Sequence, residues 1–203
     1  MKKYMLLFFI MLGCAVSMPL CAQAALMVGE QAPDFTIQDT KGTEHSLSAY
    51  KGKFIVLEWF NPDCPFVKKH YGSGNMQRLQ KAYTEKGVIW LSINSSAPGK
   101  QGNYDPVVMD QLMAGKGANS TAVLLDPNGT VGRMYGAATT PHMFIIDPQG
   151  ALVYQGAIDS IPGTDQSEIN EADNYVEAAL EAAMSGKPIE VASTKSYGCS
   201  VKY

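Results

Sequence analysis

From Phe35 to Asp39 apolar and polar residues alternate, Lys41-Gly42 breaks the pattern, and Thr43 to Leu47 resumes it, which predicts a short hairpin. One helical turn is expected over Ser46 to Tyr50 before Lys51-Gly52 resets the chain. Phe54 to Phe60 is apolar at every position but Glu58, the mark of a central strand covered on both faces. Asn61-Pro62-Asp63 ends it, and Cys64-Pro65 opens a helix, because proline fits a first turn whose N–H has no intrahelical partner. Gly72-Ser73-Gly74 interrupts that helix, which is expected to resume from Asn75 to about Glu85 and lead into a buried strand, Val88 to Ile93. Beyond a polar loop at Ala97 to Tyr104 come a helix from Pro106 towards Ala114, a strand at Ala122 to Leu125 and a short helix at Thr130 to Tyr135. Strands Met143 to Ile146 and Leu152 to Tyr154 flank the turn Asp147-Pro148-Gln149-Gly150. The apolar stripe of Tyr175, Val176, Ala179, Leu180 and Ala183 predicts a last helix from Glu168 to Met184, with an irregular tail after it. Strands alternating with helices, plus an antiparallel pair at one edge, imply a three-layer α/β/α domain around a mixed sheet.

The first 24 of the 203 residues stand outside this pattern. Lys2 and Lys3 precede an apolar run from Met5 to Val16, and Ala22-Gln23-Ala24 supplies the small residues of a signal-peptidase site. The run falls short of the about 20 apolar residues that span a bilayer, so residues 1–24 read as a signal peptide and the mature protein as periplasmic or secreted. A retained anchor and lipidation at Cys14 are the rival readings, the second weakened by Met11 and Leu12 ahead of Gly13-Cys14. Residues 25–185 then form one domain, and 186–203 a tail carrying Cys199. A net charge of -3 without a basic block argues against nucleic acid and against a polybasic membrane contact.

With Cys14 and Cys21 in the leader, the mature chain keeps Cys64 and Cys199. In an oxidising compartment these pair with each other, pair with a partner, or do redox work. Cys64 lies where a buried strand meets a helix, and the helix N-terminus favours thiolate there. Lys68, Lys69 and His70 are expected to add positive potential, whereas the plainer reading makes Cys64 a buried structural thiol. Glu58, in an apolar strand, should have a raised pKa and could move protons for a leaving thiol, or else sit half-exposed in a salt bridge. Thr140-Pro141 stands at the start of a strand, where a cis bond would present the Thr140 backbone to an incoming peptide. His70 and His142 lack metal-ligand spacing, so no metal is expected.

Several motifs, in this order, carry a resemblance: Gly29-Glu30-Gln31-Ala32-Pro33-Asp34-Phe35, Val56-Leu57-Glu58-Trp59-Phe60, Asn61-Pro62-Asp63-Cys64-Pro65-Phe66-Val67-Lys68-Lys69-His70 and Thr140-Pro141. The span from about Val28 to Leu180 resembles the thioredoxin-like redoxins related to alkyl hydroperoxide reductases and thiol-specific antioxidant proteins. The resemblance implies a thioredoxin-like fold, with Glu58 on the family's proton-handling carboxylate and Pro141 on its cis-proline. Cys64 matches the first cysteine of a thioredoxin Cys-x-x-Cys, but Val67 replaces the second. A peroxiredoxin's peroxidatic cysteine falls on that same Val67, so the chain is most similar to the peroxiredoxin-like branch with a single cysteine at the first position.

These residues imply an exported thiol–disulfide oxidoreductase acting through Cys64, assisted by Glu58, with Pro65, Thr140 and Pro141 docking a protein thiol or disulfide. Cys199 is placed to resolve Cys64, or both cysteines stay free or pair outside the chain; sequence leaves the two open. Hydroperoxide reduction through Cys64 and Cys199 is one alternative, and a non-catalytic module binding a protein or metal is another. No cofactor is expected, since the chain has neither a Gly-rich phosphate loop nor a haem-attachment motif.

Overall fold

The computed structural model describes residues 26–203; the expected signal peptide, with Cys14 and Cys21, lies outside them. Thr36–Gln38 (β1) and Glu44–Ser46 (β2) pair antiparallel in the expected hairpin, and a 3-10 turn follows at Leu47–Tyr50. Ile55–Trp59 (β3) becomes the central strand, with Ile89–Asn94 (β4) parallel on one side and His142–Ile146 (β7) antiparallel on the other. Ala122–Leu125 (β5) extends the sheet beyond β4, and Leu152–Gly156 (β8) closes the other edge, giving the order β5-β4-β3-β7-β8. The sheet is therefore mixed, as the element order implied.

Period-two alternation splits the core in two. Val56, Phe60, Trp90, Met143 and Ile145 face the helices Pro65–Gly72 (α1), Asn75–Thr84 (α2), Pro106–Gly115 (α3) and Tyr175–Met184 (α5). Leu57, Trp59, Leu91, Ile93 and Phe144 face the hairpin side and the short helix Thr130–Tyr135 (α4). Every residue of β3 is buried because apolar cover lies on both faces, which is what the unbroken apolar run required.

Two expectations need correcting. The last helix does not begin at Glu168: a 3-10 turn occupies Gln166–Asn170, and α5 starts only at Tyr175. Between them the chain turns extended and bonds to the segment after β8, with Ser160 N–H on Asp173 O at 3.0 Å and Tyr175 N–H on Ile158 O at 2.9 Å. Those backbone groups cannot serve a helix at the same time, so Asn174 caps a new one, its Oδ1 accepting from Glu177 N–H at 2.9 Å.

Nor is the tail irregular throughout. Cys199–Ser200 (β9) pairs antiparallel with Thr139–Thr140 (β6), the residues just before Pro141. Its end is fixed as well: Ala97 N–H donates to Lys202 O at 2.7 Å, and Tyr203 Oη donates to Ala137 O at 2.7 Å. Tyr203 lies so close over Gly132 that any Cβ there would collide with its ring.

Asn174→Ala should cost about 1 kcal/mol, the ordinary cost of an N-cap. Denaturant titration should show a lowered midpoint at unchanged slope; an unmoved midpoint would assign the start of α5 to its backbone bonds alone.

Candidate active site

Cys64 is the N-cap of α1, held extended at φ -66° and ψ 126° with Pro65 at the first helical position. Its N–H donates to Asn61 O at 3.1 Å, so the Asn61-Pro62-Asp63 turn aims it off the end of β3. The pairing of β9 with β6 puts Cys199 opposite Thr140, and the two sulfurs stand 2.8 Å apart. That is under an ångström beyond the about 2.05 Å of a disulfide bond. Both thiols are free. Cys64 Sγ also lies 3.0 Å from Thr140 O, which accepts its S–H while the thiol is protonated. Cys64 is fully buried and Cys199 half-buried, so the tail covers the inner thiol and leaves its own sulfur nearer solvent.

Electrostatics separate the two. Burial opposes ionisation of Cys64, but the Cys199 S–H and backbone N–H groups of Val67 and Cys199 outweigh it and hold its pKa below the ordinary 9.0. Burial and the neighbouring Cys64 sulfur push Cys199 up to about 11. Cys64 is thus the more acidic thiol of the pair and Cys199 its proton-bearing neighbour.

The Thr140–Pro141 bond is cis, as expected, and the strand lying on Thr140 belongs to this same chain. Pro65 is exposed at the head of α1. Glu58 is buried completely, not at a half-exposed edge. Its carboxylate accepts from Tyr71 Oη at 2.8 Å, Trp90 Nε1 at 2.8 Å, Ser92 Oγ at 2.9 Å and Gln80 Nε2 at 3.0 Å. Burial raises its pKa, and those four bonds counter part of the rise. None of them reaches a cysteine, so Cys64, Cys199, Thr140 and Pro141 form one group and Glu58 another.

The basic residues after Cys64 do not act as expected. Lys68 points to solvent, whereas Lys69 turns inward, 3.5 Å from Asp159 Oδ2 and 3.2 Å from Glu168 Oε2. With two carboxylates beside it, Lys69 adds little positive potential at the thiol. His70 is buried and its pKa falls to about 4, so it is neutral at pH 7. His142 is neutral for the same reason, at about 4, and its ring packs 4.5 Å from that of Phe144. Among the described residues no group of three or more His, Cys, Asp or Glu side chains is gathered for a metal.

Sequence reasoning missed the partners of these groups. Tyr71, Gln80, Trp90 and Ser92 converge on Glu58 from α1, α2 and β4, a meeting set by packing with no local signature. Asp159 was overlooked too: Tyr197 of the tail donates its hydroxyl to Asp159 Oδ1 and stacks edge-on against Phe66, centroids 5.9 Å apart. The one available signal was two tyrosines and a glycine, Tyr197-Gly198 and Tyr203, in a short tail around a cysteine.

A mixed sheet between helices, with a thiol at the head of the helix after its central strand and a cis-proline beside it, defines a thioredoxin-like protein. The AhpC/TSA family model matches residues 28–155, and the chain belongs to that family. Thiol-disulfide oxidoreductase ResA of Geobacillus kaustophilus is 28% identical over 130 residues, 64% of this chain and 69% of that protein. An uncharacterized conserved protein from the same species superposes with a TM-score of 0.74 at 28% identity, covering 93% of this chain and 98% of that one. A candidate thiol:disulfide interchange protein DsbE from Chlorobium tepidum gives a TM-score of 0.53 at 26% identity, over 64% and 85% of the two chains.

Thiolate absorbance should titrate in two separated steps, the lower below pH 9 carried mainly by Cys64 and the upper near 11 by Cys199. Cys199→Ser should leave one step; a single step already in the wild type would show that the pair is not coupled as described.

Proposed function

We propose that this protein is an exported thiol–disulfide oxidoreductase in which Cys64 is the nucleophile and Cys199 the resolving thiol. One observation carries the reading: two free thiols 2.8 Å apart, the inner one with the lowered pKa. The names of the ResA and DsbE relatives agree with it. Residues 25–185 are the catalytic unit, 186–203 its arm, and the leader at 1–24 directs the protein to the periplasm or the exterior. Among the described residues no helix is long and apolar enough to cross a membrane.

In the proposed cycle the arm lifts and Cys64 thiolate attacks one sulfur of a partner protein disulfide. A new S–S bond joins Cys64 to that sulfur, and the other partner sulfur leaves as thiolate and takes up a proton. Cys199 then gives up its proton and attacks Cys64 Sγ, releasing the first partner sulfur as a second thiol. The partner disulfide has gained two electrons and the Cys64–Cys199 dithiol has lost them; the reverse sequence oxidises a partner dithiol. Pro65, Thr140 and Pro141 line the place where the partner docks. Glu58 is a proton-holding group one step removed, its carboxyl linked to Tyr71, Gln80, Trp90 and Ser92 and to neither sulfur.

The same pair supports a second reading, favoured by the AhpC/TSA family match. Cys64 thiolate would take the terminal oxygen of a hydroperoxide, releasing an alcohol and leaving a sulfenic acid. Cys199 would condense with it to give the disulfide and water.

Turnover of a model protein disulfide in the presence of a reductant is the test. Cys64→Ser should abolish it, and Cys199→Ser should stall with partner bound through Cys64. A Cys64→Ser protein that still turns over sinks the reading, and an inert wild type that retains partner capture in Cys64→Ala would make the fold a binding module instead.

A further inference from the structure

Cys199 is useful as a resolving thiol only if its sulfur is held at Cys64 before any bond forms. The paired strands β6 and β9 are two residues each, too short to do this alone. The residues immediately before Cys199 show how it is held. Tyr197 Oη donates to Asp159 Oδ1 and stands 3.2 Å from His70 Nε2, while its ring packs on Phe66 and lies 6.0 Å from Lys69 Nζ. Phe66, Lys69 and His70 all belong to α1, the helix whose N-cap is Cys64. The helix that presents the nucleophile therefore also grips the arm two residues from the resolving sulfur.

Asp159 is fixed for this task. It is 3% exposed, its Oδ2 has no hydrogen-bond partner among the described residues, and Lys69 Nζ stands 3.5 Å from that oxygen. Lys69 is itself held by Ile161 O at 2.8 Å. A buried carboxylate with a cation behind it gives the Tyr197 hydroxyl a charged acceptor, the stronger kind of hydrogen bond.

Gly198, between Tyr197 and Cys199, completes the geometry. Its φ of +130° is one that side chains resist, and a Cβ there would be driven onto the carbonyl oxygen of Thr140. Only glycine lets the arm come close enough for Cys199 to pair with Thr140.

We propose that Tyr197 and Gly198 are positioning residues that set the effective concentration of the Cys199 thiol at Cys64, and so the stability of the Cys64–Cys199 disulfide. This rests on the oxidoreductase reading above. The two residues act by different routes. A formed disulfide pins the arm whatever residue 197 is, whereas the reduced arm depends on Tyr197. Losing that anchor lowers the fraction of reduced protein with its thiols apposed. At residue 198 the closed disulfide itself must bear the clash, so strain weakens the bond directly.

Equilibration of the full mature protein with glutathione redox buffers, read by thiol alkylation and mass, measures this effective concentration. Tyr197→Ala should lower it about tenfold, which is about 30 mV towards a more positive potential. Tyr197→Phe, keeping the ring and losing the hydroxyl, should fall in between. Gly198→Ala should lower it by tenfold or more, and the far-UV spectrum of all three should match wild type. Values within twofold of wild type in both Tyr197→Ala and Gly198→Ala would overturn the proposal while leaving the exchange chemistry intact. If wild type forms no Cys64–Cys199 disulfide at any buffer ratio, the underlying reading fails with it.

Discussion

The backbone pairing of Cys199 with Thr140 is the contact on which the site depends. It buries Cys64, brings a second thiol to 2.8 Å, and supplies the S–H that holds Cys64 towards its thiolate form. Without it Cys64 would be a lone thiol at a helix N-terminus, and the proposed cycle would have no internal route to release a partner. Where a thioredoxin site has its second cysteine this chain has Val67, and the thiol that stands beside Cys64 instead comes from 135 positions beyond it.

The scaffold makes that pairing possible from both sides. On one side β3, buried on both faces, fixes the Asn61-Pro62-Asp63 turn and with it the start of α1. On the other, α1 turns Phe66, Lys69 and His70 towards the arm, while Asp159 receives Tyr197. Lys69 and His70 serve structure more than potential: one is matched by two carboxylates, the other is neutral by burial. A buried charge removed from its partner is costly, so this cluster stays together or opens as a unit.

Much of this was legible in the order of residues. The apolar run around Glu58, the Cys64-Pro65 helix start and the hairpin that turns at Lys41-Gly42 each carry a local signal that survives in the fold. The long helix expected from Glu168 failed because Asp173 and Tyr175 bond to Ser160 and Ile158 beyond the strand exit, a distant competition invisible to helical periodicity. The tail misled for the same reason, since two-residue strands have no period to read. Glu58 was found by its oddity among apolar neighbours, but its cage of Tyr71, Gln80, Trp90 and Ser92 comes from three elements and leaves no mark in any one of them.

The central claim is that the arm's thiol is the resolving partner of Cys64 within one chain, and non-reducing peptide mass mapping of the mature protein addresses it directly. After a defined oxidant, a peptide pair linking Cys64 to Cys199 should appear in monomeric protein and vanish on reduction. Cys64 found free after oxidation, or joined only to another molecule, would contradict the account and leave the arm as a cover over a one-cysteine site.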